Sequence, residues 1–256
     1  MEFIDTHTHT YDEAFAGCED EIVARALDAG VRIQLQADVD SRERERMYAL
    51  AARHPGTVRP MLGLYPGSVD RDWRREIDAL EAWRGRGAVA VGEIGLDYHY
   101  GAEFKEEQKE AFRVQLELAA AWDLPVNIHL REATEDFFAI VGGCRHLGLR
   151  GNLHAFSGSA ETFDRLQRLG GDWYVGIGGV LTFRKASLAE TVRHIPLERI
   201  LLETDAPYLT PAPHRGERNE SAYIPLIAAF LAERKGVSVE EVAAMTTENA
   251  KRLFAL

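Results

Sequence analysis

Short apolar runs and longer amphipathic ones alternate from one end of the chain to the other. Phe3-Ile4-Asp5-Thr6-His7-Thr8-His9 begins as a strand, and in an extended chain Asp5, His7 and His9 project to one side. A helix is predicted over Asp20–Ala29, stopped by Gly30, ahead of a second strand over Val31–Gln36. Ser41 is expected to cap a charged helix to about Arg53, and Val58–Leu64 to form the third strand. Trp73, Ile77, Leu80 and Trp83 mark the buried stripe of the next helix. Further strands are predicted over Ala88–Ile94, Pro125–Leu130, Asn152–Phe156, Trp173–Ile177 and Arg199–Thr204. Helices are predicted over Glu103–Ala121, Ala133–Val141 and Ser159–Leu169, with a helical last part from Ser221. Ser238 and Glu241 there have the spacing of a capping box.

Eight strands alternating with helices over 256 residues match the count and length of a single α/β domain, a (β/α)8 TIM barrel spanning 1–256. A doubly wound sheet would want a glycine-rich turn after its first strand, where this chain has His-Thr-His. Composition changes the picture little. The formal net charge of −11 counts against stable binding of duplex nucleic acid through a cationic surface, though not against a strand end or a small phosphoester. No apolar run reaches the length of a membrane span, and no secretory leader is evident. Cys18 and Cys144, far apart in the chain, fit buried thiols of a reduced, cytoplasmic protein.

In such a barrel the C-terminal strand ends carry the site. The first ends in His7 and His9, the fourth in Glu93, the fifth in His129, the sixth in His154 and the eighth in Asp205. Alone, His7 and His9 read as a chance exposed pair at the N-terminus, and His129 or His154 as an ordinary core residue. Six ligand-type groups from five strands at one rim read as a metal site. Imidazole with carboxylate suits zinc or manganese better than magnesium. Six donors exceed one tetrahedral ion, so two divalent ions sharing Glu93 are expected, with a bridging hydroxide as nucleophile. His7, His9 and Asp205 would complete one ion and His129 with His154 the other, while Asp205 would also act as general base. Asp5, Asn127, Asn152 and Glu203, each two residues before a ligand, point inward too. They serve either to orient the histidines or as a structural polar layer.

Val91-Gly92-Glu93-Ile94-Gly95-Leu96-Asp97-Tyr98-His99 and Leu202-Glu203-Thr204-Asp205-Ala206-Pro207-Tyr208-Leu209, with Pro125-Val126-x-Ile128-His129-x-Arg131 and His154-x-Phe156-Ser157-Gly158, resemble the TatD family. That family groups metal-dependent hydrolases and deoxyribonucleases within the amidohydrolase-type barrels, and the resemblance covers nearly the whole chain. It implies two divalent ions on the same six residues, with magnesium a further candidate, and hydrolysis of ester bonds, most often the phosphodiesters of DNA from a 3′ end; the leading expectation is a 3′ to 5′ exonuclease on single-stranded DNA. Three positions depart from the family pattern: Tyr65 in Gly63-Leu64-Tyr65-Pro66 replaces a histidine, Ala155 a cysteine and Ser221 a proline. Tyr65 can stand in only as a neutral hydrogen-bonding group toward substrate.

Arg131, two residues past His129, is placed to grip a phosphate oxygen. Arg184, Lys185, Arg215 and Arg218 could add a basic collar, and Phe156, Tyr98 or Tyr208 could stack a base. A second expectation is a hydrolase of a small ester, amide or phosphoester on the same ions. A third is a metal-stabilised binding protein without catalysis. In each case a monomer or weak oligomer is expected.

Overall fold

The computed structural model describes residues 1–100, 102–184 and 186–256. Two runs of parallel strands carry the fold. The first runs in the order β1 (Phe3–Thr8), β2 (Val31–Gln36), β3 (Val58–Pro60). The second orders β4 (Val91–Asp97), β5 (Val126–Arg131), β6 (Arg150–Leu153), β7 (Asp172–Ile177) and β8 (Ile200–Leu202). Backbone hydrogen bonds close both seams between them. Leu62 N donates to Ala90 O (3.1 Å) and Gly92 N to Leu62 O (3.2 Å) at one. Asp205 N donates to His7 O (2.9 Å) and His9 N to Ala206 O (2.8 Å) at the other. The result is the expected closed (β/α)8 barrel.

Around it lie α1 (Glu19–Asp28), α2 (Ser41–Arg53), α3 (Trp73–Leu80), α4 (Lys105–Trp122), α5 (Thr134–Gly143), α6 (Ala160–Gln167), α7 (Leu188–His194), α8 (Ile224–Lys235) and α9 (Val239–Phe254). Phe112 and Leu116 of α4 and Phe137 of α5 pack in one cluster with Val91, Leu96, Val126 and Ile128 from the outer faces of β4 and β5. Full burial of each such side chain contributes about 1.5–3 kcal/mol. A second cluster joins Leu253 and Phe254 of α9 to Ile4, Leu35, Met61, Tyr174 and Leu201. Asn249 Nδ2 fastens α9 by donating to Leu197 O (2.9 Å) and Ile200 O (2.8 Å), where β8 begins and at the end away from the strand tips.

Several boundaries differ from the sequence expectation. Asp40, in extended backbone, caps α2 by accepting from Arg42 N (3.0 Å), whereas Ser41 is its first helical residue and donates to Glu76 instead. β3 stops at Pro60, and the chain beyond it crosses from β2 to β4. β4 runs on to Asp97, so Glu93 is its third residue rather than its end. β6 ends at Leu153, leaving His154 just past it. Seven-residue α7 was not foreseen, being too short to show a helical period. Ser238 caps α9 as expected, accepting from Glu241 N. Cys18 and Cys144 are both free thiols, the first only half-buried.

Candidate metal centre

The strands deliver all six predicted residues to one place. His7 Nε2 and His9 Nε2 stand 3.2 Å apart. Glu93 Oε2 is 3.5 Å from the first and 3.7 Å from the second, and Asp205 Oδ1 is 3.5 and 3.6 Å from them. On the other side, Glu93 Oε1 is 2.9 Å from His129 Nδ1 and 2.9 Å from His154 Nε2, which are themselves 3.0 Å apart. The two oxygens of Glu93 therefore face two different histidine pairs. His7 and His154 stack with ring centroids 3.8 Å apart, which joins the two halves.

These spacings suit cations. A regular tetrahedron with edges of roughly 3.5 Å has its centre about 2.1 Å from each corner, the length of a zinc–nitrogen or zinc–oxygen bond. Five edges among His7, His9, Glu93 and Asp205 run from 3.2 to 3.7 Å, and Asp205 also groups with His7 and His154. Glu93, His129 and His154 form a tighter triangle, so an ion there would sit off its plane with further positions open. The field of the site points the same way. Burial opposes ionising Glu93, but His154, His7 and His129 outweigh it and hold the carboxyl well below its usual range. Asp205 is likewise lowered, His9 overcoming burial. Burial opposes protonation of His9, His129 and His154, yet all three are raised, by Asp205 with Glu93, by Asp97 with Glu93, and by Glu93 with Glu203 respectively. The cluster favours positive charge, which a divalent ion held by these residues would supply while leaving the imidazoles neutral.

The polar residues behind the cluster divide between orienting and structural roles. Asn127 Oδ1 accepts from His7 Nδ1 (2.8 Å), which turns Nε2 toward the site. Tyr11 Oη lies 3.3 Å from His9 Nδ1 and donates to Ala37 O. Asp5 bonds no imidazole: it accepts from His7 N, Thr204 N, Thr204 Oγ1 and Ser221 Oγ, tying the first strand to the Asp205 loop. Burial nonetheless pushes its pKa up to about 7. Ser221, where the family pattern has proline, thus donates a 2.6 Å hydrogen bond to this buried carboxyl. Glu203 Oε1 accepts from Ala155 N and lies 3.7 Å from His154 Nδ1. Gly176 makes room for it, since a Cβ there would fall 1.9 Å from Glu203 Oε2. Asp205 itself has φ 57°, a left-handed backbone held by Asn219 Nδ2, which donates to Thr204 O (2.8 Å) and Tyr208 O (2.6 Å).

Sequence reasoning missed Asp97. Its Oδ2 accepts from His129 Nε2 (2.9 Å), which leaves Nδ1 to face Glu93, while its Oδ1 accepts from His99 N and Tyr100 N. Burial works against its charge, but the His129 and backbone hydrogen bonds bring it down to about 2. The one trace in the sequence is position, four residues past Glu93, and nothing there marks this aspartate as the partner of His129.

The residues expected to meet substrate are scattered in their fates. Tyr65 packs edge-on against His129, centroids 5.2 Å apart, and donates to Asp97 Oδ2 (3.3 Å). Arg131 is exposed at the end of β5, its guanidinium 4.8 Å from the centroid of Tyr100. Arg215 lies over Phe183 and Arg218 over Phe15, so these two collar cations already have partners. Lys185 lies outside the described residues. Phe156 is 4 % exposed and belongs to the core, and Tyr98 donates to Asp136, which leaves Tyr208 of the three aromatics open at the rim.

Comparison with known proteins identifies the family. A family model described as TatD related DNase matches residues 4–255. The uncharacterized metal-dependent hydrolase YabD of Bacillus subtilis (strain 168) is 38% identical over 98% of each chain. The 3′-5′ ssDNA/RNA exonuclease TatD of Salmonella typhimurium is 35% identical over 94% of each. Among solved structures, that of YJJV, a TatD homolog from Escherichia coli K12, superposes with a TM-score of 0.90 at 30% identity, covering 99% of this chain and 98% of that one. With its whole length matched in sequence and in fold, the chain belongs to the TatD-related DNase family.

Proposed function

We propose that the protein is a metal-dependent hydrolase of phosphodiester bonds that removes nucleotides from the 3′ end of single-stranded DNA. The observation that carries this reading is Glu93, whose two oxygens face the His7–His9 pair and the His129–His154 pair separately. That is the arrangement of a carboxylate shared by two ions. The Salmonella relative's name, a single-strand exonuclease, supports the choice of substrate.

Divalent ions held by His7, His9, Glu93, His129, His154 and Asp205 would supply Lewis acidity toward a phosphoryl oxygen and would acidify water. The chain's own groups do the rest. Asn127 and Asp97 fix the rings of His7 and His129, so that the lone pairs converge without reorganisation. Asp205, its side chain 16% exposed, takes the proton of the attacking water as general base. Arg131 binds substrate by charge on a phosphate, and Tyr65 does so by turning the hydroxyl proton it gives to Asp97 toward a phosphate oxygen.

Purified Glu93→Ala and Asp205→Asn variants test the reading in a 5′-labelled oligonucleotide assay. Both should keep the wild-type circular dichroism. Asp205→Asn should lose about 10²–10⁴-fold in turnover, and Glu93→Ala should show none. Full activity in either variant contradicts the mechanism. One observation favours a second substrate class: the chain is strongly acidic, with Arg215 and Arg218 engaged on aromatic rings. If no divalent metal supports strand shortening while small esters or phosphoesters are turned over, that alternative replaces the nuclease.

A further inference from the structure

Two large aromatic side chains are exposed among the described residues, Tyr100 at 73% and Tyr208 at 56%. Both stand on the rim that carries the metal-ligand cluster, one after β4 and one after β8. Each is anchored through its backbone to a residue of the site. Tyr208 N donates to Asp205 O (2.8 Å), and Tyr100 N donates to Asp97 Oδ1 (3.0 Å), the carboxylate that orients His129. The Tyr208 ring meets His9 at 67° with centroids 6.5 Å apart, so it borders the cluster without lying flat on it. Tyr100 has Arg131 at 4.8 Å and His99 edge-on at 4.6 Å, and most of its surface stays open.

Single exposed tyrosines are ordinary on a protein surface, but these two border the metal-ligand cluster and so are placed to meet the occupant of that site. The occupant must suit an acidic chain. A net charge of −11, with Arg215 and Arg218 turned onto Phe183 and Phe15, offers little cationic surface to track a phosphate backbone. Stacking needs no charge, because every nucleobase presents a π-face. We infer that Tyr208 and the Tyr100–Arg131 pair are two base platforms, one on either side of the scissile linkage, which hold two unpaired nucleotides of a strand end across the metal cluster. Arg131 then serves twice, cushioning the Tyr100 ring and reaching the adjoining phosphate. A duplex end cannot occupy both platforms unless its last pairs open, so the platforms select for single strands and are indifferent to sequence.

This inference rests on the phosphodiesterase reading, and one experiment separates their failures. Fluorescence anisotropy would follow binding of a 5′-fluorescein oligonucleotide whose 3′-terminal linkages are phosphorothioates, to slow cleavage. A second probe lacks the bases of its last two nucleotides. Wild-type protein should bind the intact probe at least about 30-fold more tightly than the abasic one, which lacks two stacked bases. In Tyr208→Ala and Tyr100→Ala the gap should narrow, and in the double variant it should close, whereas Tyr208→Phe should keep it. Equal binding of both probes by wild type, or an undiminished gap in the double variant, overturns the platforms and leaves the hydrolase standing. No binding of either probe removes both.

Discussion

Asp97 lies outside the metal-ligand set yet decides what His129 presents to it. With Oδ2 holding the Nε2 proton, His129 can offer only Nδ1 to an ion. Asp97→Asn should lower metal affinity by about 10–100-fold, measured by competition with a chromophoric chelator, and an unchanged affinity would show that the ring needs no such partner. The same residue makes an acid-stability prediction. Its native pKa, near 2, lies below the unfolded value, so the ionised form stabilises the fold at neutral pH and loses that contribution as the pH falls from about 4 toward 2. The stability gap between wild type and Asp97→Asn, about 2 kcal/mol at neutral pH, should therefore close over that range in urea titrations. His7 and Glu93 were readable from the sequence because strand alternation and residue type coincide on them. Asp97 was not, because an aspartate gives no sign in sequence of whether it meets an ion or the histidine that does.

At the scale of elements, β4 and β5 place Glu93 beside His129 because Gly95 lets the strands approach. Gly95 has φ +136°, and a Cβ there would stand 2.0 Å from His129 O. Gly95→Ala should cost at least about 2–3 kcal/mol and weaken metal binding through His129. Unaltered melting temperature and metal affinity together would show that the strands can part without consequence. The order of strands and helices was legible because the hydrophobic period changes from two to about 3.6 at each junction. Their ends were less so. Nothing in Leu96-Asp97 distinguishes strand from loop until Tyr98 N is seen donating to Arg131 O (3.0 Å), which extends β4 along β5. Likewise the cap of α2 falls on Asp40 rather than Ser41, two residue types that cap about equally well.

For the whole molecule, barrel closure and the site depend on each other. The seam between β8 and β1 is the path by which Asp205 reaches His7 and His9, and it is fastened by Asp5 through Thr204 and Ser221. Among the described residues no helix is long and apolar enough to cross a membrane. The proposed pair of divalent ions bridged by Glu93 would engage all six of these groups, two acids and four imidazoles that the barrel gathers at one rim. An anomalous difference map from a crystal loaded with zinc or manganese tests this most directly. Two peaks per chain are predicted, one bounded by His7, His9, Glu93 and Asp205 and the other by Glu93, His129 and His154. A single peak, or density that leaves either histidine pair without an ion, would contradict it.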